Sequence, residues 1–194
     1  MSPRSIVSIA LAAALAGAAL HPACAQSKPA QLVAAQSEIG FTTKQMGVPV
    51  EGKFGKFSAA ITLDPKKPET GSVSFTIDTA SARFGSAELD GEVGKPEWLA
   101  AAKFPQASFQ SSAIKAAGPG KFEVAGKLTI KGASQNLTVP VQLTQSGASS
   151  TATGSFTIKR LAFKVGEGEW ADTSMVADDV VVRFKLVLAG LAPL

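Results

Sequence analysis

Between Phe41 and Leu188 apolar residues fall repeatedly at every second position. That spacing puts them on one face of an extended strand and would scatter them around a helix. Phe57, Ala59, Ile61 and Leu63 alternate up to Asp64-Pro65, and Val73, Phe75 and Ile77 follow after Pro68 and Gly71. Phe122 and Val124 lie before Gly126, with Leu128 and Ile130 after it. Leu137, Val139, Val141 and Leu143 interleave with Thr138, Pro140 and Gln142, and Phe156 and Ile158 with Thr157 and Lys159. The last run is the cleanest, with Val180, Val182, Phe184, Leu186 and Leu188 on one face and Arg183 and Lys185 on the other. Each run reads as a strand with one buried face. Gly40, Gly47, Gly52 and Gly55 mark a sharply bent first hairpin, and Pro140 inside its run predicts an edge or a bulge.

Helical patterning is scarce. One short helix is predicted over 95–102, where Pro96 stands near a first turn and Phe104-Pro105 ends the run. It sits in a long connection that reads as running from Asp78 to Ala113. About eight antiparallel strands and one helix give an all-β barrel or sandwich. An eight-stranded barrel is either filled by its side chains or wide enough for one small ligand, and periodicity does not decide between them. Composition does separate a soluble barrel from an outer-membrane one. Membrane barrels carry aromatic girdles at both interfaces, whereas this chain has no Tyr, two Trp and 11 Phe, most of the last at inward positions.

The N-terminus has the layout of a secretory signal peptide: Arg4, an apolar stretch from Ile6 to Leu20, and the small-x-small site Ala23-Cys24-Ala25. Cleavage after Ala25 leaves 26–194 as a single domain. The competing reading, a lipoprotein acylated at Cys24, is disfavoured by His21-Pro22-Ala23 ahead of that cysteine. The only histidine and the only cysteine of the chain, His21 and Cys24, both fall in the expected leader. The exported chain then has no Ser/His or Cys/His nucleophile pair, no zinc site of common type, and no disulfide. Charge is near balance, with 19 Lys+Arg against 15 Asp+Glu, and no basic-aromatic patch suggests nucleic acid. No Gly-x-Ser-x-Gly motif of a serine hydrolase is present. A binding protein rather than an enzyme is expected.

An ordered set of stretches resembles the YceI-like family of periplasmic lipocalin-like proteins that bind polyisoprenoid lipids. The set begins with Ser37-Glu38-Ile39-Gly40-Phe41-Thr42-Thr43-Lys44-Gln45-Met46-Gly47, Gly52-Lys53-Phe54 and Leu63-Asp64-Pro65. It continues through Pro96-Glu97-Trp98-Leu99, Lys103-Phe104-Pro105-Gln106-Ala107-Ser108-Phe109 and Gly126-Lys127-Leu128-Thr129-Ile130-Lys131-Gly132. Leu137-Thr138-Val139-Pro140-Val141, Phe156-Thr157-Ile158-Lys159-Arg160-Leu161-Ala162-Phe163 and Asp178-Asp179-Val180 complete it. The resemblance implies an all-β, eight-stranded antiparallel lipocalin-like barrel with one short helix in a long connection, placed in the periplasm. It also implies an elongated apolar cavity for a prenyl chain, such as that of a prenyl quinone or polyprenyl phosphate, with no other cofactor. Relatives occur beside membrane b561-type cytochromes, so the alternative is a ligand-free accessory partner of such a redox protein. Two departures stand out: many relatives have Lys-His-x-Gly where this chain has Lys44-Gln45-Met46-Gly47, and an Asp-x-His-Leu motif where the stretch 88–93 has no histidine.

The residues expected to line the ligand site are Phe41, Met46, Phe54, Phe57, Phe75, Trp98, Phe109, Phe122, Phe156 and Phe163, each of which serves equally as core filler. Trp98 is a candidate to close one barrel end and Met46 a candidate gate in a glycine-bounded turn. Lys44, Arg83 and Arg160 are candidates for a head group, with solvated surface charge as the simpler reading. Glu167, Glu169, Asp172, Asp178 and Asp179 lack the regular spacing of a calcium loop and read as turn chemistry. A strand edge near Pro140 would allow a homodimer.

Overall fold

The computed structural model describes residues 29–194; the expected leader, with His21 and Cys24, lies outside the described residues. The strands are β1 (Gln31–Leu32), β2 (Glu38–Gln45), β3 (Val48–Phe54), β4 (Phe57–Thr62), β5 (Ser72–Asp78), β6 (Ala82–Arg83), β7 (Gln106–Gly118), β8 (Lys121–Ile130), β9 (Ala133–Ser146), β10 (Ser149–Lys159) and β11 (Asp179–Ala189). All pair antiparallel, in the order β4-β5-β7-β8-β9-β10-β11-β2-β3-β6, with β1 on β11.

The sheet becomes an eight-staved barrel because one long strand changes partner halfway along. β3 pairs with β2, and after Gly55-Lys56 the same chain direction continues as β4, which pairs with β5. Ser81 fixes the switch: its carbonyl accepts from the Gly55 N–H at 3.0 Å and its hydroxyl from the Lys56 N–H at 3.0 Å. The two openings left by this change are both patched. β6 pairs with the end of β3 below it. Above it, Ala30 bridges Ile61 of β4 while Gln31 and Leu32 pair with Ala189 and Leu188 of β11.

Inward positions carry the apolar residues that the alternation predicts, and Ile39, Ile61, Ile114, Phe122, Val124, Leu143, Ala152, Leu186 and Leu188 form the buried core. The first hairpin turns at Met46-Gly47, both with positive φ, as a two-residue loop matched to the twist of β2 and β3 requires. Pro140 marks a local edge: the β9–β10 ladder runs only from Ser146–Ser149 to Gln142–Thr153, so the stretch of β9 from Ala133 to Val141 pairs with β8 alone.

Two expectations are corrected. The helix is not at 95–102; α1 is Ala87–Glu92, with Glu88 and Asp90 in its first turn, and 95–103 forms successive turns with Ala100 at φ +49°. A helix through Glu97 would need its carbonyl for the amide four residues on. That oxygen is taken instead by the Gly166 and Glu167 N–H groups at 2.8 and 3.0 Å. The long connection also ends earlier than expected, because β7 begins at Gln106. The register shift between Ser111 and Ala113 moves the inward residues from Ala107 and Phe109 to Ile114, which breaks the period-two signal across the bulge.

Candidate functional site

The barrel encloses two apolar cavities of about 160 and 220 Å³. They share a ring at mid-height made by Ile77, Ala107, Leu128, Phe156 and Val182, so they lie end to end and outline a tube along the barrel. On β11 the lining runs from Val180 to Leu188. At about 3.3 Å per residue and a strand tilt of about 40°, this spans roughly 20 Å of the barrel axis.

The tube stays open because its largest side chains lie against the wall, three of them over glycines on neighbouring strands. Phe41 pairs across from Gly52, and a Cβ there would stand 2.7 Å from its Cε2 and 3.0 Å from its Cε1. Phe184 lies over Gly154, its register partner, and Phe109 over Gly126 on β8. The missing Cβ lets each ring settle onto the sheet instead of projecting across the lumen. Neighbouring rings hold this placement: Phe41 lies 5.1 Å from Phe54 and 5.2 Å, edge-on, from Phe84.

Of the expected lining residues, Phe75, Phe109 and Phe122 face the upper cavity and Phe41, Phe54, Trp98 and Phe163 the lower one, while Phe156 touches both. Two stand apart. Phe57 packs into the core and stacks on Phe75 at 5.8 Å, and Met46 is 69% exposed at the hairpin tip. The aliphatic lining contributed by every stave was legible in the alternation. Phe84, Leu89 and Trp170 were not, because they come from irregular segments that only the fold brings to the tube.

The lower end is covered by the loops 93–103 and 164–178. Trp98 of the first packs on Trp170 of the second at 5.4 Å. Arg160, 2% exposed, is the bolt beneath them. All five of its N–H groups donate to backbone carbonyls: Nε to Ala177, one terminal nitrogen to Val165 and Gly166, the other to Trp170 and Val176, at 2.6 to 3.1 Å. Its charge sits 5.9 Å from the Trp98 ring. Burial pushes its pKa down and the Asp178 carboxylate opposes that shift.

Lys131 makes the second stitch. Its buried ammonium donates to the Lys164 carbonyl at 2.7 Å, the Glu167 carboxylate at 2.9 Å and the Glu97 carbonyl at 3.4 Å. The bond from Lys131 holds the Glu167 carboxyl below the ordinary 4.5. The acidic residues of this end serve the loops. The Ser174 side chain, and then its N–H, which donates to Asp172, lower the Asp172 pKa, while Asp178 accepts from the Leu161 N–H and Asp179 pairs with Lys159.

Of the three candidate head-group cations, Arg160 reaches the tube with every donor already used. Arg83 bonds to the carbonyls of Ala80 and Ala82, and Lys44 is exposed and outside the lining. Ser108 is the one polar residue on the upper lining, whereas the lower cavity gathers Thr43, Gln45, Thr79, Glu92 and Arg160. Four exposed apolar side chains, Met46, Val48, Trp170 and Met175, belong to this same end, where the Met46 N–H bonds the Met175 carbonyl at 2.8 Å.

A barrel of this kind recurs in known proteins. BcnA of Burkholderia cenocepacia superposes with a TM-score of 0.79 at 48% identity, over 81% of this chain and 99% of that one. A Campylobacter jejuni YceI protein (TM-score 0.67, 23% identity, 74% and 86% covered) and a polyisoprenoid-binding domain from Saccharophagus degradans (0.64, 15%, 83% and 98%) share the fold. Among curated sequences, a UPF0312 protein of Shewanella baltica is 29% identical over 89% of this chain and 96% of its own length. A UPF0312 protein of Yersinia pestis is 36% identical over 110 residues, and there the match spans 57% of the relative's length. The YceI-like domain model matches residues 31–188, essentially the whole barrel, and the chain belongs to the YceI-like family.

Proposed function

We propose that this protein is a periplasmic binding protein that holds one long apolar lipid, isoprenoid in character, along the axis of the barrel. The observation that carries the reading is the pair of apolar cavities set end to end, walled by aliphatic and phenyl groups and kept open by rings lying over glycines. A tube of roughly 20 Å accepts about four isoprene units at about 5 Å each, from ordinary bond lengths. Burying each unit contributes about 2–4 kcal/mol at about 25 cal/mol per Å². Even after the costs of association, that is enough to retain the lipid. The polyisoprenoid-binding domain from Saccharophagus degradans, with the same fold, supports the choice of ligand class. The export signal read in the sequence supports the compartment.

Native mass spectrometry of the protein recovered from a periplasmic extract tests both parts of this reading. The expected mass is that of the chain cleaved after Ala25 plus one apolar molecule, released by organic solvent as an intact lipid. A mass equal to the chain alone, with no apolar compound in the solvent extract, refutes it.

A further inference from the structure

The upper cavity has a single polar lining residue, the exposed Ser108, and polar groups gather toward the covered end. β2 shows the gradient on one strand: its inward residues run Ile39, Phe41, Thr43, Gln45. A long lipid held in this tube therefore has its polar end at Thr43 and Gln45. What meets a head group there is set by which polar groups remain free.

The buried cations at this end are already committed. Arg160 gives all five N–H groups to carbonyls, and the Lys131 ammonium gives its three to Glu97, Lys164 and Glu167. The other charged lining residue is Glu92, an anion paired with Lys95. A phosphate inside the lower cavity would find no uncommitted donor on a lining cation and would be desolvated near a carboxylate, a costly combination. Thr79, the other lining hydroxyl, is bonded to the Phe104 carbonyl at 2.7 Å.

Thr43 differs from all of these. Its hydroxyl is buried and has no hydrogen-bond partner, one of two such side-chain oxygens among the described residues. The other, on Ser150, is not on the lining of either cavity. A buried unpartnered hydroxyl is costly, and no hydrogen bond opposes the change of χ1 that would turn it to the lumen. It can donate to or accept from an uncharged oxygen, with the Gln45 amide one inward position along.

We infer that the lower cavity selects a lipid whose apolar chain ends in an uncharged oxygen (alcohol, phenol or quinone carbonyl), bound by the Thr43 hydroxyl, and that it rejects the phosphorylated form of the same chain. The inference rests on the lipid-binding reading above and adds the class of head group.

The test uses delipidated protein and three C20 probes: geranylgeraniol, geranylgeranyl phosphate and the matched saturated hydrocarbon. Binding is read from Trp98 and Trp170 fluorescence and confirmed by native mass spectrometry. The alcohol should bind roughly three- to tenfold more tightly than the hydrocarbon, the range of one net hydrogen bond. The phosphate should bind at least tenfold more weakly than the alcohol. Thr43→Val should abolish the preference for alcohol while leaving hydrocarbon affinity unchanged, and Thr43→Ser should keep it. Phosphate binding as tightly as the alcohol, or an alcohol preference that survives Thr43→Val, overturns the inference. Binding of all three probes with equal affinity overturns it while leaving the carrier reading intact, and binding of none overturns both.

Discussion

Gly52→Ala tests whether flattened rings keep the tube open. The new Cβ would stand 2.7 Å from Cε2 of Phe41, against the 3.5–4.0 Å of an ordinary carbon contact, so the ring must withdraw by about 1 Å or more. The Phe41 backbone cannot yield, since it is paired with Val182 on one side and with Gly52 itself on the other. The ring therefore rotates off the wall and into the lower cavity of about 220 Å³, parting from Phe54 and Phe84. An off-rotamer χ costs about 0.5–1.5 kcal/mol, and each lost aromatic pair about as much. Replacing a strand glycine returns about 0.5–1 kcal/mol. The net destabilisation is about 2 kcal/mol, within a range of about 0.5–4, and the mid-range value corresponds to a fall in Tm of about 4–8 °C for a domain of this size. Lipid affinity should fall by at least tenfold, because the displaced ring occupies space the chain needs. Calorimetry and titration with geranylgeraniol read the two effects separately. In a Phe41→Leu background the same glycine substitution should leave affinity almost unchanged, a coupling that a general weakening of β3 would not produce. Unaltered binding and unaltered Tm in the single variant would show that the glycine does not set the ring's position.

Further outcomes follow from the covered end and the core. Arg160→Met removes the donors to five carbonyls, each costing about 1–3 kcal/mol if left buried, so the loop 164–178 should open rather than stay shut. Faster amide exchange and proteolysis confined to that loop would show it, and unchanged protection would contradict the bolt. The Glu167–Lys131 pair should loosen in acid. With its folded-state pKa below the unfolded 4.5, Glu167 contributes in full above that value and loses its contribution as pH falls through the depressed one. Exchange in the loop should rise over that interval, and Glu167→Gln should flatten the profile. Ile114→Ala, at a site 2% exposed on the upper lining, should cost about 2–3 kcal/mol by urea denaturation. That is the low end of the usual range, because the vacated space joins an existing tube, and a bound lipid should recover part of it.

The strands of this barrel are written locally, and the sequence reading follows them wherever the period of two is unbroken. Val180 to Leu188 is such a run, and all of its even positions line the tube. The reading loses β7 at Ser111, where one extra residue moves the inward set from odd to even numbers. It misplaces the helix for a different reason. The stretch 95–102 has helical propensity, but Trp98 and Leu99 both face the cavity, and consecutive helical residues point about 100° apart. The carbonyl of Glu97 is drawn away to the second loop. Tertiary bonding outweighed local preference there.

The sequence by itself determined that the chain builds an antiparallel all-β fold with a phenyl-rich inward face, because alternation is a property of each strand alone. The open lumen was decided only in three dimensions. Whether a phenylalanine fills a barrel or lines it depends on the residue across the strand pair, and Gly52, Gly126 and Gly154 meet Phe41, Phe109 and Phe184 only through register. Arg160 shows the same division. Its sequence neighbours suggest a surface cation, yet its five acceptors lie 5 to 17 residues away, and only the folded loops bring them around it. Strand identity is local, while ring placement, loop cover and the freedom of each polar group are pairwise properties of segments far apart in the chain.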